Sequence, residues 1–255
     1  MIVVSLQSGS NGNCIYVSGG GARLLFDAGI SGRQAETRLA AHGLDIRDVD
    51  ALVISHDHSD HVRCAGVYHR KFGFPVYATA ATFEAASARC RLGAICDVRH
   101  FSAGDVLRFA RLAVETIPTP HDGVDGVGFI VTDGRRRLGI LTDLGHVFDG
   151  LGGVIGSLDA VVIESNYDPD MLAGGPYPAF LKRRIRGPGG HLSNVEAAEL
   201  LRSCAGTRLK WACLAHLSAE NNDPQLALDA HRAILAEGLP LHVAGRYTAT
   251  EVLSL

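Results

Sequence analysis

Chemistry in this chain begins at residues 54–62, "ISHDHSDHV", where an apolar run ends in His56-x-His58-x-Asp60-His61. Imidazole nitrogens and carboxylate oxygens are the donors that a borderline divalent metal such as zinc accepts. In an extended loop, residues two apart point the same way, so His56 and His58 can share one ion. Asp60 and His61, at the turn into a helix, can face a second. A solvated polar loop is the plainer alternative, but this spacing directly after a buried strand favours metal. Four residues cannot complete two coordination shells. His121 in "TIPTPHDG", Asp143 in "ILTDLG" and His216 in "CLAHLS" each follow an apolar run directly. Convergence at one sheet edge would place His56, His58 and His121 on one ion and Asp60, His61 and His216 on the other, with Asp143 bridging. Taken alone, His121 or His216 would serve equally well as a satisfied structural histidine.

Such a pair of ions supports hydrolysis. Two metals sharing a hydroxide make a nucleophile at neutral pH, because one zinc lowers the pKa of water from about 15.7 to about 7. Asp60 can orient that hydroxide or take its proton, and the ions neutralise charge developing on a phosphoryl oxygen. His191 is the further catalytic candidate. It follows the loop Gly187-Pro188-Gly189-Gly190 and precedes a helix start, where an imidazolium can bind phosphate or protonate a leaving oxygen. Ser193 and Asn194, with the backbone amides of 193–195, are candidates to hold the anion. Otherwise His191 is a loop histidine beside a capped helix. Asp57, Asp122 and Glu164 can accept N–H bonds from ligand histidines, or be ordinary surface or cap acids. The turn Ser8–Asn13 either brings backbone amides to the site or is a tight hairpin. Lys182-Arg183-Arg184-Ile185-Arg186 either contacts a nucleic-acid backbone or is a solvated helix face. Arg135–Arg137 reads as an exposed hairpin turn. His42, His69, His100, His146, His231 and His242 receive no catalytic role, although His146 lies three residues past Asp143.

The elements that must position these groups alternate in type. Ile2–Leu6, Cys14–Ser18, Leu24–Asp27 and Ala51–Ile54 read as strands, with a helix over Ser31–Ala41. Helices follow at Val62–Phe72 and Thr79–Arg89. Strands are predicted at Val106–Phe109, Leu112–Thr119, Val127–Thr132, Leu138–Thr142 and Ala160–Glu164. A helix over Ser193–Leu201, a strand over Trp211–Ala215, a helix over Pro224–Glu237 and a strand over Leu241–Ala244 complete the pattern. Ser193 and Glu196 fit a capping box. Strands mixed with helices in both halves predict an α/β (α+β) single domain, 1–255, in which two sheets pack face to face with helices outside.

Composition sets the outer limits. The 255 residues are 47% hydrophobic with a net charge of −3, enough apolar material for a full core and no global field that demands a nucleic acid. Of the 24 basic residues only Lys71, Lys182 and Lys210 are lysine; genomic base composition explains that bias as readily as phosphate binding does. The N-terminus does not read as a signal peptide, and no apolar stretch approaches a membrane span. Six cysteines without a CxxC pair read as reduced thiols in a cytoplasmic protein.

HxHxDH followed by a distant His, Asp and His at strand ends resembles the pattern of metallo-β-lactamase-fold hydrolases. Beyond the ligands, "QSGSNGN", "LLFDAG", "TDLG", "VVIESNYD", "GPYPAFLKRRI", "GHLSN" and "LAHLSAENN" look like the YycJ/WalJ-type subgroup over nearly the whole chain. The resemblance implies the four-layer αββα sandwich, with the site at the edge between the sheets. It also implies DNA exonuclease activity (5'–3') in genome maintenance. "HLSNVEAAEL" is similar to the HSTxxxAxxxA motif of RNase Z-type phosphodiesterases, where the histidine lies beside the scissile phosphate without being a core ligand. Redox di-iron relatives carry Glu at the place of His58, so hydrolysis is implied. The expected cofactor is two divalent ions per chain, zinc first, with manganese or iron compatible. DNA is the expected substrate ahead of RNA, with no membrane partner. Two competing functions remain. One is hydrolysis of a small thioester, lactone or β-lactam at the same site. It is weakened by the lack of a leader and by a chain that ends soon after its last predicted strand, where glyoxalase-type enzymes add a helical region. The other is a non-catalytic binding module, which the seven filled ligand positions disfavour.

Overall fold

The computed structural model describes residues 1–204, 208–235 and 238–255. Among these, the first sheet holds β1 (Ile2–Gln7), β2 (Cys14–Gly19), β3 (Ala22–Phe26), β4 (Ala51–Val53), β5 (Val76–Thr79), β6 (Val98–Phe101) and β14 (Leu253–Ser254). Its order is β14-β1-β2-β3-β4-β5-β6. The second sheet runs β13-β12-β11-β10-β9-β8-β7. Its members are β7 (Val106–Phe109), β8 (Leu112–Pro118), β9 (Val127–Thr132), β10 (Arg137–Leu141), β11 (Ala160–Glu164), β12 (Trp211–Ala215) and β13 (Leu241–Val243). In each sheet an antiparallel half passes into a parallel half, with the change at β3 and at β10.

Continuous apolar runs make these strands because both faces are buried. Along β3, Leu24 and Phe26 enter the core between the sheets, while Leu25 faces the outer helices. Along β11, Ala160 and Val162 face that core, while Val161 and Ile163 face outward. Phe26 and Phe129 meet between the sheets with centroids 4.9 Å apart.

Helices α1 (Gly32–Ala40), α2 (Ser59–Val62), α3 (Ala65–Phe72) and α4 (Ala80–Arg89) cover the outer face of the first sheet. Helices α5 (Leu151–Gly156), α8 (Asn194–Cys204) and α9 (Pro224–Ile234) cover that of the second. The result is the four-layer αββα sandwich. Helices α6 (Pro169–Gly174) and α7 (Ala179–Arg186) pack on a separate small cluster of Tyr167, Leu172 and Ile185. No helix among the described residues is long and apolar enough to cross a membrane.

The structure departs from the sequence expectations at identifiable points. Strands β5, β6 and β14 were not expected: β5 is four residues that run straight into α4, with Thr79 ending the strand and capping the helix. Strand β6 lies at a sheet edge and carries Arg99 and His100, so it lacks an apolar run. The single helix expected over Val62–Phe72 is two, because the Cys64 amide donates to the Ala28 carbonyl and the chain turns there. Of the helix expected over Pro224–Glu237, positions Ala236 and Glu237 lie outside the described residues.

Candidate metal centre

The first half supplies its groups from one short stretch. Strand β4 delivers Ser55 and His56 to the carboxyl edge of the sheet. The four residues of α2 then turn Asp60 and His61 back toward the same point. The stretch is clamped from behind by the segment that follows β3. Asp27, at φ 63°, accepts from the Ser55 amide (2.8 Å), the Ser55 hydroxyl (2.9 Å) and His61 Nδ1 (2.7 Å). Since Ser55 Oγ gives its proton to Asp27, it accepts from His56 Nδ1 at 2.9 Å. With their Nδ1 atoms engaged, His56 and His61 present Nε2 to the site. The Ala28 amide donates to His61 O and the Asn13 amide to Asp60 O. A Cβ on Gly29 would lie 1.7 Å from Asp60 O, so this close approach requires glycine.

The second half supplies one group per strand end. His121 follows β8, and its Nδ1 donates to Gly190 O at 2.8 Å, which turns Nε2 inward. Asp143 follows β10 at φ 56°, Glu164 closes β11, and His216 follows β12 at φ 57°. The His216 amide donates to Ser8 Oγ (2.8 Å), so the turn after β1 reaches across to hold it.

All seven candidate ligands converge. His121 Nε2 lies 3.2 Å from His58 Nδ1, and the His56 ring stands 4.7 Å from His58 and 5.3 Å from His121. Asp60 Oδ2 lies 3.3 Å from His216 Nε2 and 3.5 Å from His61 Nε2. Asp143 stands between the two groups, with Oδ2 3.3 Å from His61 Nε2 and Oδ1 3.7 Å from His121 Nε2. His56, His58 and His121 can hold one ion, and Asp60, His61 and His216 another.

The electrostatics differ between these sets. Burial, together with the neighbouring His61, holds His56 well below the usual imidazole value; burial and His121 lower His58. Burial also opposes charge on His216, but Asp143 and Asp60 outweigh it and lift its pKa to about 10. Burial likewise opposes ionisation of Asp143, yet the His216 and His61 charges hold its carboxyl well below the usual carboxylate range. The carboxylates thus call for cationic charge, which a divalent ion supplies with release of the histidine protons. Two buried atoms aimed at the centre, His56 Nε2 and Asp143 Oδ2, lack a hydrogen-bond partner. Buried polar atoms are rarely left so, and a metal fits both.

His191 sits beside the centre. Its ring lies 4.8 Å from that of His121 and 5.2 Å from that of His216, and its Nδ1 donates to Glu164 Oε1 at 2.6 Å. Burial opposes ionisation of Glu164, but the charge and hydrogen bond of His191 bring its carboxyl down to about 2. Glu164 therefore serves His191 more closely than a ligand histidine, with His216 Nδ1 farther off at 3.7 Å. A cleft of about 240 Å3 opens over the centre, lined by Ser10, His58, Ser59, Asp60, Asp143, Arg184, His191 and His216.

Other candidates fall elsewhere. Ser193 is buried and spent on the capping box with Glu196. Asn194 is fully buried, bonded to Ser165 and Asn222. The amides of Leu192, Ser193 and Asn194 donate to Glu164, Glu196 and the Tyr167 carbonyl. The donors expected from Ser193 and Asn194 in the phosphate cradle are thus taken up by helix capping and an internal amide network. Asp57 accepts from the Val124 amide (2.7 Å) and pairs with Arg89, so it braces the loop after His121 and bonds no ligand histidine. Asp122 lies 3.4 Å from His58 Nε2 and is gripped by Arg184 through Nε (2.7 Å) and Nη2 (3.1 Å). His146 Nδ1 donates to Pro188 O on the loop before His191.

Sequence reasoning assigned no role to Asp27, and for Asn13 it considered only the backbone amides of its turn. Asn13 Nδ2 lies 2.9 Å from His61 Nε2 and 3.3 Å from Asp60 Oδ2. The signal for Asp27 was present: "FDAG" repeats the strand-end aspartate of "TDLG". The role of the Asn13 side chain was not visible, because it reaches the site only through the fold of the Ser8–Asn13 turn.

Comparison with known proteins agrees with this geometry. The model of the beta-lactamase superfamily domain matches residues 22–216. The chain is 38% identical over 234 residues to the exodeoxyribonuclease YycJ of Bacillus anthracis, covering 91% of this chain and 88% of that protein. It is 37% identical over 224 residues to the exodeoxyribonuclease WalJ of Streptococcus pneumoniae, covering 87% and 83%. Among solved structures, the metallo-beta-lactamase fold protein YhfI from Bacillus subtilis superposes with a TM-score of 0.76 at 16% identity, covering 98% of this chain and all of that one. The sandwich, the ligand geometry and these matches together establish that the chain belongs to the beta-lactamase superfamily, in the branch of YycJ and WalJ.

Proposed function

We propose that the protein is a metal-dependent phosphodiesterase acting on nucleic acid, and that its activity is that of a DNA exonuclease. The observation that carries this reading is the His191–Glu164 pair set between the two ligand groups. Glu164 accepts the Nδ1 proton and fixes the ring, so Nε2 is the atom that gives a proton to a leaving oxygen. Asp60, held by His216, orients the attacking water. Bound at His56, His58 and His121 and at Asp60, His61 and His216, with Asp143 between, two divalent ions would lower the pKa of a water and offset charge on the phosphoryl oxygens. The nitrogen and oxygen donors suit zinc, with manganese as the alternative.

Similarity to YycJ and WalJ, both named exodeoxyribonucleases, supports DNA over RNA. The cleft is lined by polar side chains, which suit a phosphodiester. The six cysteines are free thiols, which fits a reducing cytoplasm. An end-labelled DNA and RNA panel, run with zinc and with manganese, tests the reading. Stepwise release of nucleotides from DNA, lost in Asp60→Ala and on chelation, is the expected result. Turnover of thioesters with every oligonucleotide left intact would overturn it.

A further inference from the structure

Helix α7 carries a feature that hydrolysis at the centre does not use. Phe180 is 67% exposed, although a phenylalanine side chain gains from burial. Arg183 and Arg184 stand three and four residues further on and share its helix face. Both are exposed, and Arg184 lines the cleft beside His191. Its Nε and Nη2 grip Asp122, leaving Nη1 for another acceptor. Lys182 points elsewhere: its Nζ donates to the Ala173 and Gly175 carbonyls and ties α7 to the segment after α6. From Met171 to Val195 the sequence holds no acidic residue and four cationic ones, in a chain whose net charge is −3. An aromatic face beside a fixed guanidinium, one helical turn from the cleft, matches the way proteins hold unpaired nucleotides. Bases stack on the ring while arginines follow the phosphates.

We propose that α7 is the track along which a single-stranded nucleic acid enters the cleft, with Phe180 stacking on a base and Arg183 and Arg184 contacting its phosphates. The proposal rests on the nuclease reading and adds the strand state of the substrate. A paired base has no free face for Phe180, so single strands should bind more tightly than duplex of equal length.

The test is fluorescence anisotropy of a labelled phosphorothioate oligothymidine and of a matched phosphorothioate duplex with the metal-loaded protein, so that binding is read without cleavage. Phe180→Ala should weaken single-strand binding about tenfold and duplex binding much less. Phe180→Trp should restore it. Arg183→Ala should flatten the salt dependence of single-strand binding by about 0.7 in log–log slope. Val106→Ala, another exposed apolar residue far along the chain on β7, should leave binding unchanged. Equal single-strand affinity in Phe180→Ala and wild type, or an equal loss on both nucleic acids, overturns the track. If wild type cleaves DNA while Phe180→Ala binds normally, only the track fails; if wild type cleaves no nucleic acid, the nuclease reading fails with it.

Discussion

The two halves of the molecule meet at the centre by different routes from the same plan. Each sheet changes from antiparallel to parallel pairing at one strand, β3 in the first and β10 in the second. Each of those strands runs out into an aspartate in the left-handed region, Asp27 and Asp143. Groups placed beyond the carboxyl ends of sheet strands are favoured sites for chemistry in α/β folds. Yet the two aspartates do opposite jobs. Asp27 stands behind the centre and holds His61 through Nδ1, whereas Asp143 enters it and faces both histidine sets. The first half then concentrates four candidate ligands on one loop, and the second spreads three over three strand ends. Equivalent places in a fold can thus hold a candidate ligand in one half and the brace of a candidate ligand in the other.

Mutations can break or sharpen this contrast. The largest effect is expected for Asp143→Ala, which removes a contact to both sets: activity should fall about 10³-fold or more, with loss of metal by elemental analysis. Retention of both metal and turnover would erase the difference between the two aspartates. His191→Ala should lower kcat by about 10²- to 10³-fold while metal content stays near that of wild type; loss of metal there would make it a ligand. Asp27→Asn should reduce metal affinity by about 10- to 100-fold, read by competition with a chelating dye, with turnover largely recovered at saturating metal. The smallest effect on chemistry is expected for Asn194→Ala. Urea unfolding should show a loss of about 1–3 kcal/mol from the unsatisfied partners Ser165 and Asn222, with kcat/KM on DNA unchanged. A fall in kcat/KM without loss of stability would return Asn194 to the phosphate.

The same contrast explains what could be read from the chain. The loop His56–His61 was legible because its donors are neighbours in sequence. His121, Asp143 and His216 were legible because each directly follows an apolar run, so a strand predicts where its next polar residue emerges. Strands β3 and β11 followed from the runs "ARLLF" and "AVVIE", whereas β5, β6 and β14, short or at a sheet edge, did not. Groups that depend on hydrogen-bond geometry were not legible. Asn194 has the composition of a phosphate contact, and only its three-dimensional partners reveal a buried amide network. Asn13 was hidden for the same reason, and Asp57 was misread because Arg89 and the Val124 amide come to it from distant segments.

The backbone at Asp27, Asp143 and His216 carries one more consequence. Each adopts a conformation in which a side chain crowds the main chain and in which glycine sits more comfortably. At Asp27, however, glycine would also strip three hydrogen bonds from the buried Ser55 and His61, so the crowded conformation is kept by what the side chain holds. What marks the centre is therefore an aspartate or histidine held in the left-handed region just beyond a buried strand, whereas Ala110, in the same region after β7, makes only a hairpin turn.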